Sequence, residues 1–204
     1  MAKDLNEDYF LWKSFKDGGD DSFGVLYDLY AESLFRYGMH FSRDKEFIKD
    51  CIHDLFLDLH KYRDKLSMTD SIRFYLFRSL RRKINHKLSK TVTLVYNNNL
   101  GSSINNQELP FEESMISFET EAENKRILLK AMKSLTDRQR EGLSLKFEHN
   151  LSYPEIAEIL GMSVESARTS IYRALKTLRK SIKDDESSIY LLLILARHPF
   201  QGTC

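Results

Sequence analysis

Ser166, Thr169 and Arg173 fall at spacings of three and four along Val164–Lys180. Short hydroxyl side chains followed by a guanidinium suit hydrogen bonding to base edges, then to phosphate. On a helix turning about 100° per residue, Ala167, Ile171, Ala174, Leu175 and Leu178 gather near Val164, on the other side. Ser166, Thr169, Arg173 and Lys180 then share an outward face, flanked by Ser170, Lys176 and Thr177. Arg168 and Tyr172 sit at its edge, within reach of backbone phosphates or a groove wall. Such a helix binds nucleic acid if it is held proud of the domain; otherwise it is the basic surface of a helical hairpin.

A second basic stretch, Ser71–Lys90, carries seven Lys/Arg and no Asp/Glu, and it includes Phe74, Tyr75 and Phe77. Cations that track phosphates, beside rings that stack on bases, are the parts of a single-strand groove. Aromatics at this spacing also serve as core. Between the two basic segments, Thr91–Asn124 holds six Glu and no Lys or Arg, so the formal net charge of +1 hides a strong pattern.

Other chemistries find little support. His53 and His60 are seven residues apart with no cysteine at ligand spacing, so no metal site is expected. There is no paired-carboxylate constellation and no glycine-rich phosphate loop. The reading is a non-enzyme with no cofactor and no small-molecule substrate. Cys51 and Cys204 form no disulfide framework. The start, MAKDLNEDYF, lacks the apolar core of a signal peptide, and Ile189–Ala196 is too short to span a bilayer. A soluble, cytoplasmic protein is the expectation.

The elements that must position these residues are helices. Asp20–Met39 carries Phe23, Leu26, Tyr27, Tyr30, Leu34 and Phe35 at helical spacing. Phe47–His60 carries Phe47, Ile48, Cys51, Ile52, Leu55, Phe56 and Leu59 on one half of its wheel. Asp50, His53 and Asp54 occupy the other half, and so does Leu57, which cannot reach a core on that stripe. Ser71–Leu88 shows the row Ile72, Leu76, Leu80, Ile84, Leu88. Thr91–Tyr96 is the one strand-like run. Helix resumes near Phe118 and continues to Leu135, with Ile127, Leu128, Ala131, Met132 and Leu135 inward. Thr136-Asp-Arg-Gln139 and Ser152-Tyr-Pro-Glu155 are capping boxes, Gly161 supplies a left-handed stop, and Ser163 caps the last helix. The result is an all-α fold: two small helical domains, residues 1–92 and 121–183, joined by a flexible acidic linker, 93–120, and followed by an apolar tail, 184–204. The turn Gly161-Met162-Ser163 makes the C-terminal domain a helix-turn-helix.

At this point the residues reach a known family. SLTDRQREGLSLKF and LSYPEIAEILGMSVESARTSIYRALKTLRK resemble region 4 of the extracytoplasmic-function (ECF) group of sigma-70 factors. Leu135-Thr136 stands where Leu-Pro is common, and Ala167 where Val is usual. FGVLYDLYAESLFRYG, DCIHDLFLDLHKYRD and SIRFYLFRSLRRKINHKL resemble regions 2.1, 2.2 and 2.3–2.4, in the expected order. In the last, Tyr75 takes the usual Trp place.

The resemblance implies a protein that binds core RNA polymerase and promoter DNA. Its minus-thirty-five readers would be Ser166, Arg168, Thr169, Ser170, Tyr172, Arg173 and Lys176. The minus-ten strand would be held by the loop Asp64–Asp70 with Arg73, Phe74, Tyr75, Arg78, Arg81, Arg82, Asn85 and His86. Leu57, ringed by Asp50, His53 and Asp54, falls where the family docks on polymerase. The acidic linker either mimics nucleic-acid charge near the active centre or is only a soluble spacer. Members of the family are often restrained by a membrane-associated anti-sigma factor. The tail either packs on its own domain or docks a partner or membrane surface. The alternatives are a stand-alone LuxR-like regulator, which usually carries an α/β sensing domain, and a degenerate sigma that sequesters a partner.

Overall fold

The computed structural model describes residues 2–97 and 131–183. The chain divides into two compact units, Met1–Pro110 and Phe111–Cys204. Among the described residues there is no strand.

The first unit is built from α1 (Ala2–Lys16), α2 (Asp20–Gly38), α3 (Lys45–Lys61), a 3-10 turn (Arg63–Lys65) and α4 (Ile72–Asn97). Asp44 caps α3, its carboxylate accepting from the Phe47 N–H at 3.0 Å. Ser71 caps α4 in the same way, accepting from the Phe74 N–H at 3.2 Å. α3 buries Ile48, Cys51, Ile52, Leu55, Phe56 and Leu59, so its apolar stripe lies inward as the spacing predicts. α4 buries Ile72, Leu76, Phe77, Leu80 and Ile84 against it. Gly38 lets α2 close on α3: a Cβ there would stand 2.5 Å from Cγ2 of Ile48. Cys51 is fully buried and burial raises its thiol pKa, so it behaves as a small apolar group.

Two features depart from the expectation. The opening residues form a helix of their own, and Trp12 and Phe15 enter the core from it. The strand-like run Thr91–Tyr96 is helical, the last part of α4. A helix continuing from residue 90 meets its backbone hydrogen bonds internally, whereas a strand needs a partner. Against that, the weak helix propensity of Thr and Val costs only about 0.7 kcal/mol per residue at most. On α2, Tyr27 is exposed rather than core, lying with one side against Phe56 at 4.9 Å between ring centroids. Tyr37 is fully buried instead, against Phe77 at 4.9 Å.

The second unit is α5 (Asp137–Leu143), a π-helical turn (Ser144–Glu148), α6 (Tyr153–Leu160) and α7 (Val164–Lys183). Residues 131–133 are helical and end before Leu135. Both capping boxes are present, Thr136 with Gln139 and Ser152 with Glu155. Gly161 closes α6 at φ 64°, ψ 49°, and Ser163 Oγ accepts from the Ser166 N–H at 3.1 Å. The core is Leu143, Leu145, Leu151, Ile156, Ile159 and Leu160 with Ala167, Ile171, Ala174 and Leu178 of α7. Residues 98–130, which hold most of the expected linker and the start of the helix from Phe118, lie outside the described residues, as does the tail 184–204.

Two ion pairs stitch α3 to α4 one turn apart: Asp54 with Lys87 at 2.7 Å and Asp58 with Lys83 at 2.6 Å. The hydrogen bond from Lys87 holds the Asp54 carboxyl below the usual range, and the same bond raises Lys87. The stabilisation is therefore complete at neutral pH, lost as pH falls through the lowered Asp54 pKa, and lost again as pH rises through the raised Lys87 pKa. With side chains 31% and 42% exposed, the pair contributes at most about 1 kcal/mol. Lys87→Met is expected to return the Asp54 carboxyl toward its ordinary titration midpoint by NMR; an unmoved midpoint would mean that the pair does not persist in solution. At Gly161 no heavy atom lies within 4 Å of an added Cβ, so only the backbone resists substitution. Gly161→Ala is expected to lower stability by about 1 kcal/mol in urea unfolding, and Gly161→Asn by less. Equal stability of the alanine variant would remove the left-handed stop.

Candidate nucleic-acid and polymerase interfaces

In the second unit, α6 and the tight turn brace α7 by its apolar stripe. Opposite that stripe, Ser166, Thr169, Arg173 and Lys176 are exposed, Arg168 and Tyr172 are exposed at its edge, and Ser170 is half-buried. All seven of the sequence-predicted residues thus reach the surface of one helix. Ser166, Thr169, Ser170 and Arg173 also line a shallow depression, whose other wall is Thr136, Arg138 and Gln139 from the start of α5. The α5 residues do not emerge from a wheel of α7, because they join its face only through packing. The Ser163 hydroxyl donates to Ser166 Oγ at 2.8 Å, so the first of these side chains is oriented by the helix cap.

Arg168 is placed by a residue that the sequence reading uses only as part of a cap. Its guanidinium lies 5.5 Å from the Tyr153 ring centroid, and Lys146 Nζ lies 4.8 Å from the same centroid. Lys146 is aimed there by the π-helical turn and also donates to the Leu151 carbonyl at 3.2 Å. One ring therefore gathers two cations from different elements. No local signal in the sequence gives this pairing: Lys146, Tyr153 and Arg168 are seven and fifteen residues apart.

In the first unit, the predicted residues of α4 divide between faces. Tyr75 and Arg82 lie along one face with Ser79 and Lys83 and form a wall of an open cleft. The other walls are Leu55, Asp58 and Leu59 of α3, and Tyr62, Lys65 and Leu66 of the following turn. On a neighbouring face of the wheel come Phe74, Arg78, Arg81 and Asn85, with the Arg78 guanidinium 5.9 Å from the Phe74 ring centroid. Asn85 and His86 are exposed. Arg73 falls on another side of the α4 wheel, and its charge acts on the buried Tyr30 phenol of α2. Burial and the Asp8 carboxylate outweigh that charge and push the phenol pKa far up. Phe77 is wholly core.

On the outer face of α3, Asp50 and His53 are exposed, Leu57 is 52% exposed, and Asp54 is half-buried in its pair with Lys87. Asp54 is thus both a rim residue of this patch and a structural partner of α4. Among the described residues no cluster of metal-ligating side chains occurs, and no helix is long and apolar enough to cross a membrane.

Comparison with known proteins agrees with this arrangement. The family "Sigma-70, region 4" matches residues 125–178. The chain is 27% identical over 170 residues to the ECF RNA polymerase sigma factor BldN of Streptomyces coelicolor, covering 82% of this chain and 63% of that protein. It is 23% identical over 181 residues to the ECF RNA polymerase sigma factor SigW of Bacillus subtilis, covering 84% of this chain and 95% of SigW. Among solved structures, the sigma factor RpoE of Bartonella quintana, crystallised with the anti-sigma factor NepR, shares the fold. Its TM-score is 0.61 at 21% identity, over 80% of this chain and 98% of that one. The match over the helix-turn-helix shows a sigma-70 region 4 there, along most of its length the chain is similar to ECF RNA polymerase sigma factors, and the likeness to RpoE is one of fold.

Proposed function

We propose that the chain is an alternative sigma factor that binds core RNA polymerase in the cytoplasm and directs initiation at its own set of promoters. The observation that carries this is α7. Its apolar stripe is buried, and Ser166, Thr169 and Arg173 stand outward on the helix that a region 4 match covers. In this reading α7 lies in the major groove of the minus-thirty-five element, with Lys176, Tyr172 and Arg168 reaching the backbone. The cleft between α3, the turn and α4 takes the melted minus-ten strand. Tyr75 and Tyr62 offer ring faces to a base there, and Arg82, Arg78 and Arg81 follow phosphates. Leu57, with Asp50, His53 and Asp54 around it, docks on the polymerase. An anti-sigma factor is the expected restraint, as for the sigma factor of similar fold that was crystallised with one.

Purified full-length chain is expected to co-elute with core RNA polymerase from its own source without DNA. Leu57→Asp is expected to abolish co-elution while leaving the helical circular-dichroism signal intact, since Leu57 makes no part of the core. A folded wild type that does not co-elute would defeat the proposal; a variant that unfolds would defeat the assignment of Leu57. For the upstream element, Tyr153→Leu in the holoenzyme is expected to weaken binding to promoter duplex by about two- to fivefold, and Tyr153→Phe to leave it unchanged. Equal binding by the leucine variant would show that the ring does not place Arg168.

A further inference from the structure

The cleft of the first unit has two walls that are fixed from outside it. Tyr75 and Leu66 both line it, and both are tied to α1, a helix that contributes no residue to the cleft. Trp12 is fully buried, its ring centroid 5.2 Å from that of Tyr75. Its indole N–H donates to the Ser67 carbonyl at 3.0 Å, across 55 residues of sequence. One turn further along α1, the Lys16 ammonium donates to the adjacent carbonyl, that of Leu66. Just beyond the helix, Gly18 turns the chain at φ 88°, a conformation that favours glycine, beside the Arg63 guanidinium.

These ties fall on a segment with little structure of its own. Residues 66–70 belong to no helix. Their far end is held by the Thr69 hydroxyl, which donates to the Ser71 carbonyl and accepts from the Ser71 N–H. A tryptophan that serves only as core needs bulk, and a phenylalanine supplies most of that. A lysine that serves only for solubility does not give up its rotamer freedom to one backbone carbonyl. Here an indole N–H and an ammonium converge on consecutive carbonyls, and the indole ring lies beside the tyrosine ring that forms another wall. A pocket that distinguishes one base from another must hold its walls to about 0.5 Å.

We propose that α1 is a brace for this loop, and that Trp12 and Lys16 are positioning residues that set which unpaired base the cleft accepts. The inference rests on the cleft's binding a melted strand. Neither residue touches the nucleic acid. They act through Tyr75, Leu66 and Ser67, so their loss relaxes discrimination at the loop-read position and leaves the upstream contacts untouched.

The test uses holoenzyme reconstituted from full-length chain and core polymerase. The probe is a fork DNA with a randomised duplex segment upstream and a randomised single-stranded segment downstream; retained molecules are sequenced. Wild type is expected to enrich bases in both segments. Trp12→Phe, which keeps the bulk and removes the donor, is expected to reduce the downstream preference by about three- to tenfold. Lys16→Met, which keeps the stem at a half-buried position, is expected to do the same, and both variants should keep the upstream preference. Unchanged downstream preference in both variants overturns the brace and leaves the sigma reading standing. Equal loss of both preferences in both variants also overturns it, because Trp12 and Lys16 would then only support the fold. If Trp12→Phe fails to fold, Lys16→Met decides alone. A co-eluting wild type without preference in either segment would instead remove the promoter-reading function on which the brace depends.

Discussion

A helix that offers side chains to nucleic acid must be held by its other face alone. In both units one basic helix buries a single apolar stripe. In the second, Ala167, Ile171, Ala174 and Leu178 are the residues of α7 buried in the core, and two of these four are alanines. Small residues there let α6 and α5 approach closely, and Gly142 on α5 meets Ile171 with an added Cβ only 3.4 Å away. The sharp turn at Gly161 then sets the angle. In the first unit the same division falls on α4, where Ile72, Leu76, Phe77, Leu80 and Ile84 hold the helix and Tyr75 and Arg82 face the cleft. Two of its lysines are paired with carboxylates of α3, Lys83 at the wall of the cleft and Lys87 beyond it.

What could be read in the sequence was what is local. The caps at Thr136, Ser152 and Ser163 join residues three apart, and the stripes of α3, α4 and α7 repeat every three to four residues. Propensity at Thr91–Tyr96 misled for the same reason in reverse: it is local, weak, and overruled by a helix already under way. What could not be read was long-range. Trp12 earns its place through Ser67 and Tyr75, and neither lies within fifty residues of it. Tyr153 looks like the first residue of a helix and nothing more until the π-helical turn brings Lys146 to its ring. Arg73 shares composition with its neighbours but not their face of the helix, and its charge acts on Tyr30 of α2.

Exposure by itself does not single out Leu57. Phe10 and Leu29 are each 60% exposed, more than Leu57 at 52%, and scattered apolar side chains are normal on a folded surface. The distinction is in the surroundings. Leu57 projects from a helix whose opposite stripe is fully committed to the core, so the side chain cannot be a misplaced core residue that another packing would bury. Beside it stand two carboxylates and an imidazole, and one carboxylate, Asp54, is held in place by Lys87 rather than left free to fold over the leucine. An apolar centre within a rim whose polar groups are already oriented loses less conformational freedom on docking than the same residues on a loop. The Asp54–Lys87 pair thereby serves two ends at once. It closes α3 on α4, and it keeps the rim of the patch at a fixed distance from the basic helix.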